Sequence, residues 1–66
     1  MYLRLRNLRE NFVPKKISQR KLAQQTGISA RKIAEWELQI ATPLPSEEQI
    51  LIAFFKLENR EQLYTQ

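Results

Sequence analysis

The stretch QRKLAQQTGISARKIAEWE, Gln19 to Glu37, has Gly27, the only glycine of the 66-residue chain, next to its midpoint. A sequence that uses glycine once is expected to place it where a side chain would not fit or where the backbone needs a positive φ. On either side the apolar residues follow helical spacing. Ser18 is a suitable N-cap, with Leu22 and Ala23 on the inward face of a helix that ends before Gly27. Ser29 caps a further helix whose inward face carries Ile33 and Trp36. Two short helices joined by so few residues share a core only if the chain reverses at once, and Gly27 supplies that reversal. Ala23, four positions earlier, keeps the crossing close, while Leu22, Ile28, Ile33 and Trp36 fill the space around it.

Outward from this stretch, residues 2 to 12 read as a first helix carrying Leu5, Leu8 and Phe12, which Pro14 stops. The prolines in TPLP, positions 42 to 45, end any continuation after Glu37, so residues 38 to 45 read as loop. Ser46 to Gln49, SEEQ, has capping-box spacing, with Ile50, Ala53, Phe54 and Leu57 as the stripe behind it. A last short helix opens at Asn59, anchored by Leu63 and Tyr64. The expected fold class is all-α, a compact bundle of five short helices without strands, forming one domain over residues 1–66.

Composition narrows function. With no Cys and no His there is neither a disulfide nor a Cys/His metal site, and packing alone must hold a chain near the small end of independently stable domains. No Gly-rich phosphate loop is present and the carboxylates sit mostly at helix starts, so an enzyme is not expected. No apolar run approaches the ~20 residues of a membrane helix, and no signal-peptide core follows Met1, so a cytoplasmic chain without membrane contact is expected. Charge divides by position: residues 1–34 hold nine Lys or Arg against one Glu, residues 35–66 two against six, together the net +4. The basic half is suited to a polyanion.

The string SQRKLAQQTGISARKIAEWE resembles the helix-turn-helix unit of the Cro and phage-repressor type, the lambda-repressor-like (XRE-like) DNA-binding domains. The likeness runs residue by residue over Ser18 to Glu37, the unit spanning about 18–38, with looser echoes in LRNLR and LENREQLY. It implies sequence-specific binding of double-stranded DNA, the helix that starts at Ser29 lying in the major groove, in a small bacterial or phage-encoded, nucleoid-associated transcription regulator. Ala30, Arg31 and Glu35 are then the base-readout positions. Arg31 suits guanine or else a phosphate; Glu35 suits cytosine N4 or else tunes charge; Ala30 suits a thymine methyl or else keeps the helix close. The phosphate set is Ser18, Gln19 and Lys32, joined by Lys15, Lys16, Arg20, Gln39 and Thr42. Arg9, Ala23, Gly27, Ile33, Trp36 and Glu37 are structural, with an Arg9–Glu37 ion pair joining the first helix to the end of the recognition helix.

The resemblance further implies a homodimer on a two-fold site, with no cofactor and no small-molecule ligand. Against the family pattern, ENFVPKK carries about three additional residues, within what surface loops tolerate. Gln39 stands where the family has a glycine, so the recognition helix is expected to end differently or run longer. The alternative function is a protein-interaction or antitoxin-like adaptor that keeps the helix-turn-helix and binds a partner through Phe54, Phe55, Leu63 and Tyr64.

Overall fold

The computed structural model describes residues 2–65. Apart from one short strand pair, their regular structure is helical: α1 Leu5–Glu10, α2 Gln19–Thr26, α3 Ala30–Glu37 and α4 Pro45–Phe54, followed by a 3₁₀ turn at Arg60–Leu63. The chain ends meet in a two-residue antiparallel ladder, β1 Tyr2–Leu3 against β2 Tyr64–Thr65, with Leu3 opposite Tyr64. The helices and the 3₁₀ turn enclose one core of Leu3, Leu5, Ile17, Leu22, Ile28, Ile33, Trp36, Leu51 and Leu63.

Local chemistry accounts for α2 and α3. The Ser18 hydroxyl accepts the Lys21 N–H at 3.0 Å and the Ser29 hydroxyl accepts that of Arg31 at 3.2 Å, so each helix begins with one of its free donors satisfied. Gly27 has φ 76° and donates its N–H to the Ala23 carbonyl at 2.9 Å. A Cβ there would meet nothing within 4 Å, which corrects the steric expectation. The demand on Gly27 is the left-handed backbone alone. Thr26 reinforces the turn: its Oγ1 donates to the Leu22 carbonyl at 2.7 Å and accepts the Ile28 N–H at 3.3 Å. Ala23 is half-buried against the core beside the turn.

α3 ends at Glu37 without a glycine. Gln39 takes φ 64°, its N–H bonds the Trp36 carbonyl at 3.1 Å and the Ile40 N–H bonds that of Glu35 at 3.1 Å. This is a Schellman closure made by a residue for which the left-handed region is costly. Lys56, φ 55°, closes α4 in the same way, through Lys56 N–H to Ala53 and Leu57 N–H to Ile52.

Three sequence expectations change. The first helix covers Leu5–Glu10 rather than residues 2 to 12, because Leu3 is drawn into the ladder and the chain beyond Glu10 folds back on Arg9, whose carbonyl accepts the N–H groups of Phe12 and Ile17 at 3.3 and 3.0 Å. α4 begins at Pro45, not Ser46. Proline is tolerated at the first helical position, and Glu47 accepts the Leu44 N–H at 2.8 Å, half a capping box since leucine has no side-chain acceptor. The inward face of α4 also differs from the expected stripe: Glu48 and Leu51 are buried, and Ile50 and Ala53 are exposed. The segment opening at Asn59 is a 3₁₀ turn of four residues rather than a fifth α-helix.

Glu48 was read as a capping carboxylate but is buried. Arg60 Nε donates to both its oxygens, at 2.9 and 3.0 Å, Tyr64 donates its hydroxyl to Oε2, and the Arg60 guanidinium lies 5.0 Å from the Tyr64 ring centroid. This cluster holds β2 and the 3₁₀ turn onto α4. Burial and the bond to Glu48 push the Tyr64 phenol up from 10.0 to about 12. Since the raised value belongs to the folded state, the stabilisation is complete below pH 10.0 and is lost as pH rises through about 12. Alkaline titration followed by tyrosinate absorbance should show one of the two tyrosines ionising late. Replacing Tyr64 with Phe should remove that step and flatten the alkaline fall in melting temperature; a normal phenol titration for both tyrosines would contradict the cluster.

Candidate nucleic-acid interface

With Ile33 and Trp36 buried, α3 presents its other face outward: Ala30 and Arg31 are exposed at its start, and Ala34 and Glu35 are half-buried one turn on. The Arg31 side chain is 87% exposed. Its nearest ionic partner is Glu35, Nε to Oε2 at 3.6 Å across one helical turn. Such an exposed pair contributes only about 0.3–0.5 kcal/mol, so Arg31 can leave Glu35 for a better acceptor.

At the start of α2, Lys15, Lys16, Ser18 and Lys21 line one shallow cleft, floored by Phe12 and Ile17. The three lysines and the neighbouring Arg20 are exposed. Ser18 uses its oxygen as the cap acceptor and keeps its O–H proton to donate. Ser18 is also the N-cap of α2, so lysines, a hydroxyl donor and the start of a helix lie together at this cleft. The segment ENFVPKK supplies Lys15 and Lys16 to this cleft and sets Phe12 against Phe54, with ring centroids 5.2 Å apart.

Besides Ser18, two phosphate candidates carry internal side-chain bonds. The Gln19 side-chain amide donates to Glu37 Oε1 at 3.0 Å, so its side chain is engaged in the fold and its contribution to an anion site is the backbone N–H. Lys32 Nζ donates to Glu47 Oε2 at 2.8 Å, linking α3 to the first turn of α4. Its side chain remains half-exposed. The Lys32 bond, followed by the Leu44 N–H and opposed by burial, holds the Glu47 carboxyl below its ordinary range. Gln39 and Thr42 are exposed in the segment after α3, with Gln39 fixed by its positive φ.

Arg9 and Glu37 meet beneath this surface. Arg9 Nε and Nη2 donate to the two Glu37 oxygens at 2.8 and 2.9 Å, a bidentate pair, and Nη1 donates to the Ile17 carbonyl at 3.0 Å. The side chains are 13% and 7% exposed. Burial pushes the Glu37 carboxyl up, but the bonds from Arg9 and Gln19 outweigh it and hold the group below the carboxylate range. The bond to Glu37 raises Arg9 against its own burial. The pair fixes the C-terminal end of α3 to α1 and to the start of α2, so the outward face of α3 is rigidly carried.

Sequence reasoning missed the tie between Lys32 and Glu47, that between Gln19 and Glu37, and the Glu48–Arg60–Tyr64 cluster. Each joins residues at least 12 apart in sequence, and no local spacing signals them. Of the four residues named for the adaptor alternative, Leu63 is fully buried, Phe54, Phe55 and Tyr64 are half-buried, and Tyr64 donates its hydroxyl to Glu48. Among the described residues no group of three or more His, Cys, Asp or Glu side chains could hold a metal, and no helix is long and apolar enough to cross a membrane. Compared with protein-family models, with curated proteins and with solved structures, the chain matches none.

Proposed function

We propose that α2, the Gly27 turn and α3 form a helix-turn-helix and that the chain binds double-stranded DNA with α3 in the major groove, acting as a small transcription regulator. The observation that carries this reading is the open face of α3, with Arg31 projecting into solvent from a helix pinned behind by Ile33, Trp36 and Glu37. A major groove about 12 Å wide admits such a helix, and a guanidinium at its first turn can bond guanine O6 and N7 together. Glu35, one turn on and only weakly paired with Arg31, can accept from cytosine N4. The cleft of Lys15, Lys16, Ser18 and Lys21 takes a backbone phosphate beside the groove. One such helix spans few base pairs, so two chains occupy a two-fold site.

Salt tests the phosphate part. The logarithm of the binding constant should fall linearly with the logarithm of salt concentration, with a slope near −0.9 for each phosphate neutralised. A flat response in a titration series would remove the phosphate contacts from the account.

Two substitutions separate readout from backbone holding. Arg31→Ala should cost roughly 1–3 kcal/mol on the preferred site and relax the preference at one base pair. Lys32→Ala should weaken all sequences alike, while the loss of its exposed pair with Glu47 costs only about 0–1 kcal/mol of stability. Competition binding against single-base variants of the site distinguishes them: equal losses on every sequence for Arg31→Ala would make it a backbone contact.

A further inference from the structure

A second concave surface shares no residue with α2 or α3. It is a cleft of about 580 Å³ between α1 and the end of α4, within the range of binding clefts. Its floor is an aromatic triad: Phe12 and Phe54 stack at 11° with centroids 5.2 Å apart, and Phe55 stands edge-on to both at 5.9 and 5.0 Å. All three rings are half-buried, so each keeps surface toward the opening. At the rim stands Val13, 81% exposed. The charged residues lining the cleft are Arg4 and Lys56, and none is acidic. Lys56 is held in place by its left-handed backbone and makes no ion pair among the described residues. Arg4 reaches only neutral oxygens, the Gln62 carbonyl at 3.3 Å and Asn7 Oδ1 at 3.4 Å. An apolar floor thus lies between two cations that no carboxylate of the fold neutralises.

We propose that this cleft binds an acidic peptide segment of a partner protein, one that lays a large apolar side chain on the phenylalanine triad with carboxylates facing Arg4 and Lys56. The charge pattern selects the occupant. A second copy of this chain is a poor fit, because its exposed Leu38, Ile40 and Leu44 lie in a stretch, residues 38–46, that contains no charged residue. A segment running along the cleft also covers Val13 at the rim, and burial of that side chain adds to the binding. The cleft adjoins the lysine cleft at the start of α2 and shares Phe12 with it, and its remaining lining residues lie outside that cleft and outside α3.

The test is selection from a phage-displayed library of random peptides against the intact chain, with counter-selection against the double variant Val13→Glu, Lys56→Glu. Both positions are exposed, and a thermal melt verifies that the variant is folded as the parent is. Enriched peptides should combine an aromatic or large aliphatic anchor with flanking Asp or Glu. A synthetic enriched peptide should shift the amide resonances of Phe12, Val13 and Phe55 and leave those of Ala30–Glu37 in place. Binding should fall at least about tenfold with the double variant, and again when the peptide carboxylates become amides, each tenfold step corresponding to about 1.4 kcal/mol. Absence of enrichment, enriched peptides without acidic residues, or shifts confined to α2 and α3 would each overturn the proposal, the last by showing only a general attraction to the basic half.

Discussion

Glu37→Ala is expected to lower the unfolding free energy by about 3 kcal/mol, the lower part of the range for breaking a buried pair, since the Arg9 guanidinium keeps some solvent contact. The substitution leaves Arg9 charged against the Ile17 carbonyl with no carboxylate, and strands the Gln19 amide. Arg9→Ala should cost a similar amount, because it removes three bonds at once and leaves Glu37 with Gln19 alone. At roughly 0.05–0.15 kcal/mol per residue, the 66-residue chain has only about 3–10 kcal/mol in total, so either variant is near the point of unfolding. Replacing both by apolar residues of similar volume should recover stability in part only. The buried charges are gone, but the Ile17 carbonyl and the Gln19 amide still lack their partners.

The same pair sets the acid limit. Glu37 and Glu48 both have folded-state carboxyls below their ordinary range: burial acts to raise each, and it is outweighed for Glu37 by the bonds from Arg9 and Gln19, for Glu48 by those from Tyr64 and Arg60. A depressed value means that the stabilisation is present above the ordinary carboxylate range and is lost as pH falls below it. Melting temperature should therefore hold steady through neutral pH and drop in acid, less steeply in the doubly apolar variant. If Glu37→Ala melts within a few degrees of the parent, the pair contributes no more than a surface contact.

Leu22→Ala is expected to cost about 2–5 kcal/mol, through lost transfer energy and a cavity that the surrounding helices cannot close. Leu22 is the one fully buried residue of α2, and α2 packs on both α3 and α4, so the loss falls where three helices meet. Leu22→Met, which conserves volume, should stay below about 1.5 kcal/mol. Urea denaturation of the two variants separates packing from mere apolarity: a loss under about 1 kcal/mol for Leu22→Ala would mean that α2 is not integral to the core.

How much could be read from the sequence depended on the range of the interactions involved. The starts of α2 and α3 and the end of α2 were legible because they rest on local chemistry: Ser18 and Ser29 cap within three residues, and Gly27 turns by its own φ; the end of α3 was not, because Gln39 takes the left-handed region without being glycine. The outward position of Ala30 and Arg31 followed from helical phase alone. The first helix was over-extended because both its limits are set from a distance: Leu3 pairs with Tyr64 from the far end of the chain, and the backbone beyond Glu10 folds back on the Arg9 carbonyl. In α4, Pro45 opens the helix instead of ending the loop before it, and packing against the core faces Leu51 inward in place of Ile50. The partners of Lys32, Gln19 and Glu48 were invisible for the same reason as Leu3. A charged side chain carries no sign of which distant charge it will meet.

The account rests on α3 reading bases through Arg31. The most direct measurement is selection of bound sequences from a random duplex pool with the parent chain and again with Arg31→Ala. The parent should enrich a two-fold motif with a guanine in each half-site, and the variant should enrich the same motif with that one position relaxed. No enriched motif with the parent, or an identical motif with both proteins, would contradict it.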